Sequence, residues 1–453
     1  LPERIPLLLL SATIGNAHQI ADWLSKIRNR PCRVVEEFVR PVPLHPLFMN
    51  PNGTLLPLMT SGKPKVSKKI HGLINSKQRL ELVRPGKLPP MGDILRVLKK
   101  FRLLPAIFFL KSRADCDQSL QLCRQNIDPD GQRTQERAQI IADFARRFPH
   151  IARHRQREAL EHFGVGSHHS GQLPAWKLVL EALMNKGLLD VIFATSTVAA
   201  GVNFPARSIA FFNSDRFNGF EFIPLDASQF LQMTGRAGRR GMDRVGFALA
   251  VPGKFLDVHR VARLFTSPPA AVISKIQINF SMVLNLLLSH TPQQIENLLK
   301  RSFAAYLMAR GRKQGKIRKS GFNTQPSLQN EFVRHLAFLK ETEFVDENDL
   351  LTEDGQWASR LRIDQPLLVA EALRLGLLPD RDPKLLAAMM AAFVNDKESE
   401  ERVDRRTWPK DLVAAILQVK KGLTGFARHM TFSGFPVRNL YPLPAALVHA
   451  WAQ

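Results

Sequence analysis

The sequence predicts an α/β protein in which a parallel sheet is followed by helical segments. Helical patterns alternate with short apolar strands between Met91 and Val251, an arrangement typical of a parallel sheet covered by helices. Near the start, the apolar run "IPLLLLSA" predicts one further buried strand. After residue 255 the strand signal fades, and helical patterns continue to the end of the chain.

The first ninety residues divide into two parts. In residues 1–40 the predicted strand is followed by an amphipathic helix over "AHQIADWLSKI". Residues 41–90 contain many prolines and the lysine-rich stretch "SGKPKVSKKIHGLINSKQR". That composition predicts a basic connector on the surface rather than part of a core.

Residues 91–255 carry the α/β pattern. Strands are predicted at "PAIFFLKS", "LDVIFAT", "RSIAFF" and "VGFALAV". One of the helices between them, "DASQFLQMTGRAG", has Asp226 as its predicted N-cap, because an aspartate side chain accepts hydrogen bonds from the first amides of a helix.

The rest of the chain is predicted to be helical. Residues 256–365 contain one exception, "VDENDLLTEDGQWASRLRI", whose charged turn and Gly355 predict a small β-wing. Residues 366–453 show helical patterns alone, which predicts part of a helical bundle.

The charge of the chain predicts a polyanionic partner. Its formal net charge is +24, which favours nucleic acid first and an anionic membrane second. No apolar run approaches the length of a bilayer span, and no segment has the clean apolar face of a membrane anchor. Cys32, Cys116 and Cys123 have no metal-ligand spacing, so no metal site is predicted, and reduced thiols in a soluble cytoplasmic protein are expected.

The stretch "QMTGRAGRRGMD" places Arg236 and Arg239 three residues apart. On a helix, that spacing would put both side chains on the same side of one turn. A guanidinium group carries a permanent charge and a planar fork that matches phosphate oxygens. The pair therefore predicts an arginine finger that stabilises a transferred γ-phosphoryl group. A solvated basic helix end is the alternative.

Other polar residues follow predicted strands, where open α/β sheets bind ligands. "FATSTVAAGVNFPAR" carries Thr195, Gly201 and Asn203 directly after a strand. "LLLLSATIGN" places Ser11 and Thr13 just beyond the first predicted strand, and "GVGSHHSGQLP" precedes a helix.

In this order, the segments resemble the motifs that follow the Walker B motif in Ski-type DExH helicases of superfamily 2. "SAT" is similar to motif III, "PAIFFLKSRADC" to motif IV, "HHSG" to motif IVa, "ATSTVAAGVNFPAR" to motif V and "QMTGRAGRRGMD" to motif VI. Further on, "INFSMVLNLL" and "LLTEDGQWASRL" resemble winged-helix segments of this branch, and "LLVAEALRLGLL" resembles its C-terminal helical domain.

The resemblance implies a domain order. Residues 1–40 would be the C-terminal remnant of a first RecA-like domain, and residues 91–255 a complete second one, with residues 41–90 as connector. Residues 256–365 would form a winged helix, and residues 366–453 part of the helical domain. We therefore expect this chain to be a portion of a longer helicase. The portion would begin shortly before motif III and stop within the C-terminal helical domain.

The resemblance also implies roles for individual residues. Arg236 and Arg239 would contact the γ-phosphate of ATP across a domain cleft. Four further positions would contact the nucleotide: Gly201, Asn203, Gln232 and Gly235. Nucleic acid would be contacted by Thr195, His169 and Ser170, although either of the first two could serve only local hydrogen bonding. Ser11 and Thr13 would couple hydrolysis to domain movement.

The segment "FFNSDRFNGFEFIPLD" lies between motifs V and VI and contains Asn-Gly, a strong signal for a β-hairpin. The resemblance implies that such a hairpin parts the duplex. Phe217, Phe220 or Phe222 could then stack on an unpairing base. The alternative is that these side chains belong to the core.

Neither the G-x-x-x-x-G-K-[ST] phosphate loop nor a DExH box occurs in the sequence. We therefore expect ATP and Mg²⁺ to be bound mainly by a preceding segment, and no phosphoryl transfer by this chain alone. The resemblance implies 3′-to-5′ unwinding, with RNA preferred over DNA as substrate. A monomer is the default expectation. A DNA-repair helicase of the same branch and a non-catalytic nucleic-acid-binding module are the alternatives.

Overall fold

The computed structural model describes residues 4–60, 65–75, 88–123, 131–196, 204, 206–217, 221–253, 255–313, 327–363, 365–394 and 408–452. The chain divides into two compact units. The first unit contains Leu1–Gln19 and Arg33–Val272, and the second contains Ile20–Cys32 and Ile273–Gln453. None of the described helices is long and apolar enough to cross a bilayer.

The first unit is built on a seven-stranded sheet and a separate two-stranded hairpin. The strands are β1 (Leu44–Met49), β2 (Leu55–Pro57), β3 (Ala106–Phe109), β4 (Val165–His168), β5 (Val191–Ala194), β6 (Ser208–Phe211), β7 (Asp215–Phe217), β8 (Phe222–Pro224) and β9 (Gly246–Ala250). The large sheet has the order β2-β1-β9-β6-β3-β5-β4. Strand β2 pairs antiparallel with β1, and every other pair is parallel.

Helices cover this sheet. Those of the first unit are α2 (Lys68–Asn75), α3 (Met91–Lys100), α4 (Arg113–Gln121), α5 (Gly131–Arg147), α6 (Arg157–Phe163), α7 (Pro174–Asn185), α8 (Ala227–Thr234) and α9 (Val258–Leu264). A 3₁₀ helix spans Pro149–Ile151, and α1 (Ala17–Arg28) precedes them in the chain. Helix α9 packs into the core of the first unit, so this unit extends beyond the boundary predicted at residue 255.

Both faces of the sheet are buried, as the predicted fold requires. Along β3, Ile107 and Phe109 belong to one apolar cluster, and Ala106 and Phe108 belong to another. Each of the four is at most 1% exposed. Successive side chains of a strand point to opposite faces, and burial on both faces is typical of parallel sheets. The predicted parallel α/β architecture is confirmed.

The strand predicted at the start of the chain is wrong for this structure. Residues 6–10 have no regular secondary structure, and Leu8, Leu9 and Leu10 are 83%, 64% and 84% exposed. An apolar run forms a buried strand only where a neighbouring strand pairs with its backbone groups. No described strand pairs with these residues.

The prediction of a surface connector over residues 41–90 is also wrong for its first part. Strand β1 lies within the sheet between β2 and β9, and Phe48, Met49 and Leu58 are almost completely buried. The prolines of this segment argue against a strand in the sequence, because proline cannot donate a hydrogen bond to a neighbouring strand. The carbonyl of Pro46 still accepts a hydrogen bond from the amide of Leu58 at 3.0 Å.

The described part of the second unit beyond residue 273 is helical. Its helices are α10 (Phe280–Leu287), α11 (Pro292–Lys300), α12 (Phe303–Lys313), α13 (Leu328–Glu341), α14 (Glu353–Arg360), α15 (Pro366–Arg374), α16 (Pro383–Phe393), α17 (Lys410–Gly422), α18 (Thr424–Phe432) and α19 (Pro442–Ala452). One apolar core contains side chains from α10, α11 and α13 to α19. The predicted helical character of residues 366–453 is confirmed for the described residues.

The predicted β-wing is reduced to a single bridge between Val345 and Leu351. Gly355 lies inside α14 instead of a turn. The physical reason is an efficient helix start, because Thr352 caps α14 by accepting from the amide of Gly355, and the first turn is acidic. A capping hydroxyl and acidic residues near a helix N-terminus both stabilise a helix.

Candidate nucleotide and nucleic-acid sites

Helix α8 begins with a capping box that the sequence partly predicted. Asp226 accepts a hydrogen bond from the amide of Gln229 at 2.8 Å, and the Gln229 side chain accepts one from the amide of Asp226 at 3.2 Å. Reciprocal capping of this kind fixes a helix start. It sets the direction of α8 and leaves Gln232 exposed on its surface.

The two arginines do not share one helical turn, contrary to the prediction. Helix α8 ends at Thr234, and Gly238 has a φ of +83°. The intervening bend is fixed by Ala206, whose amide donates to the carbonyl of Arg236 and whose carbonyl accepts from the amide of Gly238, at 3.1 and 2.8 Å. The three-residue spacing of Arg236 and Arg239 predicted a shared helical turn wrongly, because a glycine in the left-handed conformation changes the direction of the chain between them.

Arg239 is held by a carboxylate of its own loop. Its Nε and Nη2 atoms donate to Oδ2 and Oδ1 of Asp243 at 2.8 and 2.9 Å, and its backbone amide donates to Oδ2 at 2.9 Å. These contacts raise the pKa of Arg239. Burial acts to raise the pKa of Asp243, but the hydrogen bonds from Arg239 outweigh it, and the net pKa is lowered.

Two more arginines lie around this loop. Burial lowers the pKa of Arg236. Arg40 donates to the carbonyls of Thr234 and Ala237, the latter at 2.8 Å, and thereby satisfies backbone oxygens around the end of α8. No local sequence signal points to Arg40, because 194 residues separate it from Thr234. Gly235 is the C-cap of α8 with a φ of −59°, so its conformation does not require glycine.

The loop predicted as motif III lies against α8. The Nε2 atom of Gln232 donates to Oγ1 of Thr13 at 3.4 Å, and Oγ of Ser228 donates to the carbonyl of Thr13 at the same distance. The amide of Thr13 also donates to Oγ of the exposed Ser11 at 3.4 Å. The structure thus brings a residue predicted to contact nucleotide together with both predicted coupling residues.

The remaining predicted residues divide between the two edges of the sheet. The arginine loop, residues 235–243, carries Arg236 and Arg239 and precedes β9. Its Ala237 pairs with Ala206, just before β6, so the loop lies at the amino ends of the parallel strands. Thr195 follows β5, and His169 and Ser170 follow β4, which places them at the carboxyl ends. The predicted phosphate-binding and nucleic-acid-binding residues therefore occupy opposite edges. Gly201, Asn203 and Phe220 lie outside the described residues.

His169 is buried in a polar cluster centred on Asp117. Only 3% of the His169 side chain is exposed, and its Nε2 atom lies 3.0 Å from Oδ1 of Asp117. The same oxygen accepts hydrogen bonds from Ser167, Gln156 and Gln172 at 2.6, 2.7 and 3.2 Å. In this structure the His169 ring serves the cluster, whereas the neighbouring Ser170 is exposed.

The predicted hairpin is present as β7 and β8, which pair antiparallel. The ring centroids of Phe217 and Phe222 lie 5.2 Å apart, and the side chains are 42% and 45% exposed. Lys111, at the carboxyl end of β3, anchors the hairpin. Its Nζ atom lies 3.0 Å from Asp215, 3.9 Å from the Phe222 ring centroid and 3.8 Å from that of Phe255.

We expect a Lys111→Met substitution to loosen this hairpin. Methionine keeps the apolar contact but removes the charge that pairs with Asp215 and attracts both rings. Amide hydrogen exchange of the described residues of β7 and β8 should then become roughly tenfold faster, for a loss of about 1.4 kcal/mol in hairpin stability. Lys100→Met is the control, since Lys100 is exposed and its Nζ lies 5.9 Å from the Phe101 ring centroid. Equal exchange rates in both variants would contradict the anchor.

His168, at the end of β4, predicts acid sensitivity of the first unit. The residue is 5% exposed, its ring packs edge-on against Phe204 at 5.0 Å, and neither ring nitrogen has a hydrogen-bond partner among the described residues. Burial, followed by the charge of Lys177, lowers the pKa of His168 from 6.5 to about 4. Protonation therefore favours the unfolded chain, and stability falls as the pH drops from 6.5 to 4.

A His168→Phe variant should lose this part of the pH dependence. The free energy of unfolding, measured by urea titration at several pH values, should depend less steeply on pH by up to about 1.4 kcal/mol per unit. His162→Phe, at an exposed position, should keep the slope of the unmodified protein. Equal slopes for both variants would contradict the assignment.

Two segments of the chain match protein-family models. A helicase conserved C-terminal domain covers residues 93–241, which include the hairpin, α8, Arg236 and Arg239. A DSHCT (NUC185) domain covers residues 348–453, which include the helices from α14 to the end of the chain.

Curated proteins with helicase names are similar to this chain. Probable helicase HelY of Mycobacterium tuberculosis is 32% identical over 333 residues, covering 68% of this chain and 36% of that protein. Human Superkiller complex protein 2 is 29% identical over 396 residues, covering 81% of this chain and 31% of that protein. Human Exosome RNA helicase MTR4 is 28% identical over 316 residues, covering 63% and 29%. The chain spans about a third of the length of these relatives.

Proposed function

This chain belongs to the Ski-type branch of the superfamily 2 DExH-box helicases, and from that premise we propose that it serves ATP-dependent RNA unwinding by supplying the arginine half of the ATP site. The observation that carries the proposal is the loop at the amino edge of the sheet. There Arg236 and Arg239 follow α8 directly, and Gln232 of the same helix contacts Thr13.

The chemistry of this edge suits a transferred phosphoryl group. In such a reaction negative charge accumulates on the phosphoryl oxygens, and fixed positive charge stabilises the transition state. Arginine supplies that charge without a proton to lose, since its pKa lies far above neutrality. When ATP and Mg²⁺ are bound, they would supply the reacting group and part of its charge neutralisation. Arg236 and Arg239 would supply the guanidinium contacts. Gln232 would couple the nucleotide site to the motif III loop through its hydrogen bond to Thr13.

The opposite edge suits nucleic acid. Thr195 and Ser170 follow neighbouring strands there, and the β7–β8 hairpin presents the half-exposed rings of Phe217 and Phe222. Hydroxyl groups bind backbone phosphates, and aromatic rings stack on unpaired bases. The net charge of +24 adds attraction for any nucleic acid. We propose that the hairpin separates the strands while the carboxyl edge follows one of them.

RNA is the substrate that the comparisons favour. One relative is named an exosome RNA helicase, and another, from Arabidopsis thaliana, is named an ATP-dependent RNA helicase. We further propose that α10, α11, α13 and the bridged turn of Val345 and Leu351 act as a winged-helix domain, and that α15 to α19 belong to the helical domain of this branch. DNA unwinding is the second candidate within the same family.

The test is ATP turnover by the intact gene product, with and without single-stranded RNA, together with anisotropy of labelled RNA and DNA of one sequence. The proposal predicts turnover that RNA stimulates and tighter binding of RNA than of DNA. If DNA binds more tightly than RNA and stimulates ATP turnover more strongly, the protein is a DNA helicase instead. Binding without any turnover would contradict the ATP site and favour a non-catalytic nucleic-acid-binding module.

A further inference from the structure

The carboxylate of Asp243 is almost completely enclosed. Only 2% of its side chain is exposed, against 16% for Arg239. All three hydrogen bonds that the described residues donate to this carboxylate come from Arg239, two from the guanidinium and one from the backbone amide. A buried carboxylate destabilises a protein unless it is paired and hydrogen-bonded. Arg239 supplies both the charge and the hydrogen bonds that Asp243 needs.

The contact uses one side of the guanidinium only. The Nε and Nη2 atoms face Asp243, whereas Nη1 makes no hydrogen bond within the part of the chain that the structure describes. A guanidinium group has five N–H donors in a rigid plane, so a carboxylate that holds the Nε side also fixes the direction of the other side. The Nη1 side remains available to a second planar or tetrahedral anion.

The backbone makes this pairing possible. Gly238 and Gly241 have φ values of +83° and +79°, and the turn between them lets the amide of Arg239 reach the carboxylate four residues later. These φ values lie in the left-handed region, which glycine adopts without strain. The loop therefore orients both the main chain and the side chain of Arg239 toward one carboxylate.

We infer that Asp243 is a positioning residue that holds Arg239 with its Nη1 side directed at the γ-phosphate. This inference rests on the proposed function. A free arginine side chain loses rotamer entropy when it is fixed. Asp243 would impose that order before the phosphate arrives, so that the guanidinium needs no rearrangement in the transition state.

The test is a double-mutant cycle in the intact gene product. Asp243→Asn keeps the shape of the side chain but removes its charge and one acceptor oxygen. We expect kcat for RNA-stimulated ATP hydrolysis to fall about 10- to 100-fold, with KM for ATP and RNA affinity unchanged, since a misplaced catalytic group acts on the transition state. In the Arg239→Ala background, Asp243→Asn should cause no further loss of kcat. Asp143→Asn, which removes an exposed partner of Arg146 on α5, is the control.

The outcomes distinguish the catalytic role of Arg239 from the positioning role of Asp243. An unchanged kcat in Arg239→Ala would refute the proposed arginine finger. A large loss in Arg239→Ala combined with an unchanged kcat in Asp243→Asn would leave the finger in place and refute the positioning role. An equal loss from Asp243→Asn with and without Arg239 would also refute that role, because Asp243 would then act independently of the arginine.

A second measurement covers the case in which Asp243→Asn does not fold. The side-chain Nε–H signal of Arg239, identified by its loss in Arg239→Lys, should show slow solvent exchange and restricted guanidinium rotation in the unmodified protein. Exposed Arg240 provides the reference for fast exchange. Equally fast exchange for both arginines would overturn the inference without any change at position 243.

Discussion

Replacing Arg239 with alanine is expected to lower ATP turnover of the intact gene product by roughly 1,000-fold, the lower end of the range for an arginine finger. The affinity for single-stranded RNA should stay unchanged, because Arg239 lies at the amino edge of the sheet while the proposed RNA contacts follow the carboxyl ends of β4 and β5. The measurement is steady-state turnover together with RNA anisotropy.

Two further variants make this result specific. Arg240→Ala removes the exposed neighbour and should leave turnover unchanged. Arg239→Lys keeps a positive charge but cannot reproduce the planar two-atom contact with Asp243, so it should also lose most activity. A loss of RNA affinity in Arg239→Ala, with turnover retained, would show that this arginine belongs to a nucleic-acid-binding surface.

Replacing Asp117 with alanine is expected to cost the first unit about 3 kcal/mol in free energy of unfolding. The carboxylate accepts hydrogen bonds from Ser167, Gln156 and Gln172 and contacts His169. Removing it leaves these buried polar groups without their shared partner, and such groups lose the free energy of hydration when they are left unpaired.

Urea unfolding followed by tryptophan fluorescence measures this effect. Trp176 is completely buried, and its Nε1 atom donates to Oε1 of Gln156 in the same cluster at 3.2 Å, so it reports on the region directly. Asp143→Ala is the matched control because Asp143 pairs with Arg146 on the exposed side of α5. Equal losses in the free energy of unfolding would show that Asp117 stabilises the first unit no more than the exposed Asp143 does.

Local patterns allowed much of the first unit to be predicted. The alternation of helices and apolar strands predicted the parallel sheet, Asp226 predicted the start of α8, and Asn-Gly predicted the β7–β8 hairpin. Each of these features depends on residues that are close in the sequence, where capping and turn chemistry act.

Features that depend on distant partners could not be predicted in this way. Strand β1 contains a proline and becomes part of the core only through its pairing with β9, whose residues come 202 positions later in the chain. Arg40 donates to a carbonyl at the end of α8, and Asp117 accepts hydrogen bonds from residues up to 55 positions away in the sequence. The bend between Arg236 and Arg239 depends on Ala206 as well as on Gly238. Sequence spacing alone carries no information about such contacts.

The proposed function places ATP at the amino edge of the sheet and nucleic acid at the carboxyl edge. Measuring ATP turnover and duplex unwinding side by side in Arg239→Ala and Lys111→Met tests this division most directly. Arg239→Ala should lose turnover and unwinding together, whereas Lys111→Met should keep turnover and lose unwinding. Equal loss of turnover in both variants, or full turnover in Arg239→Ala, would contradict this division.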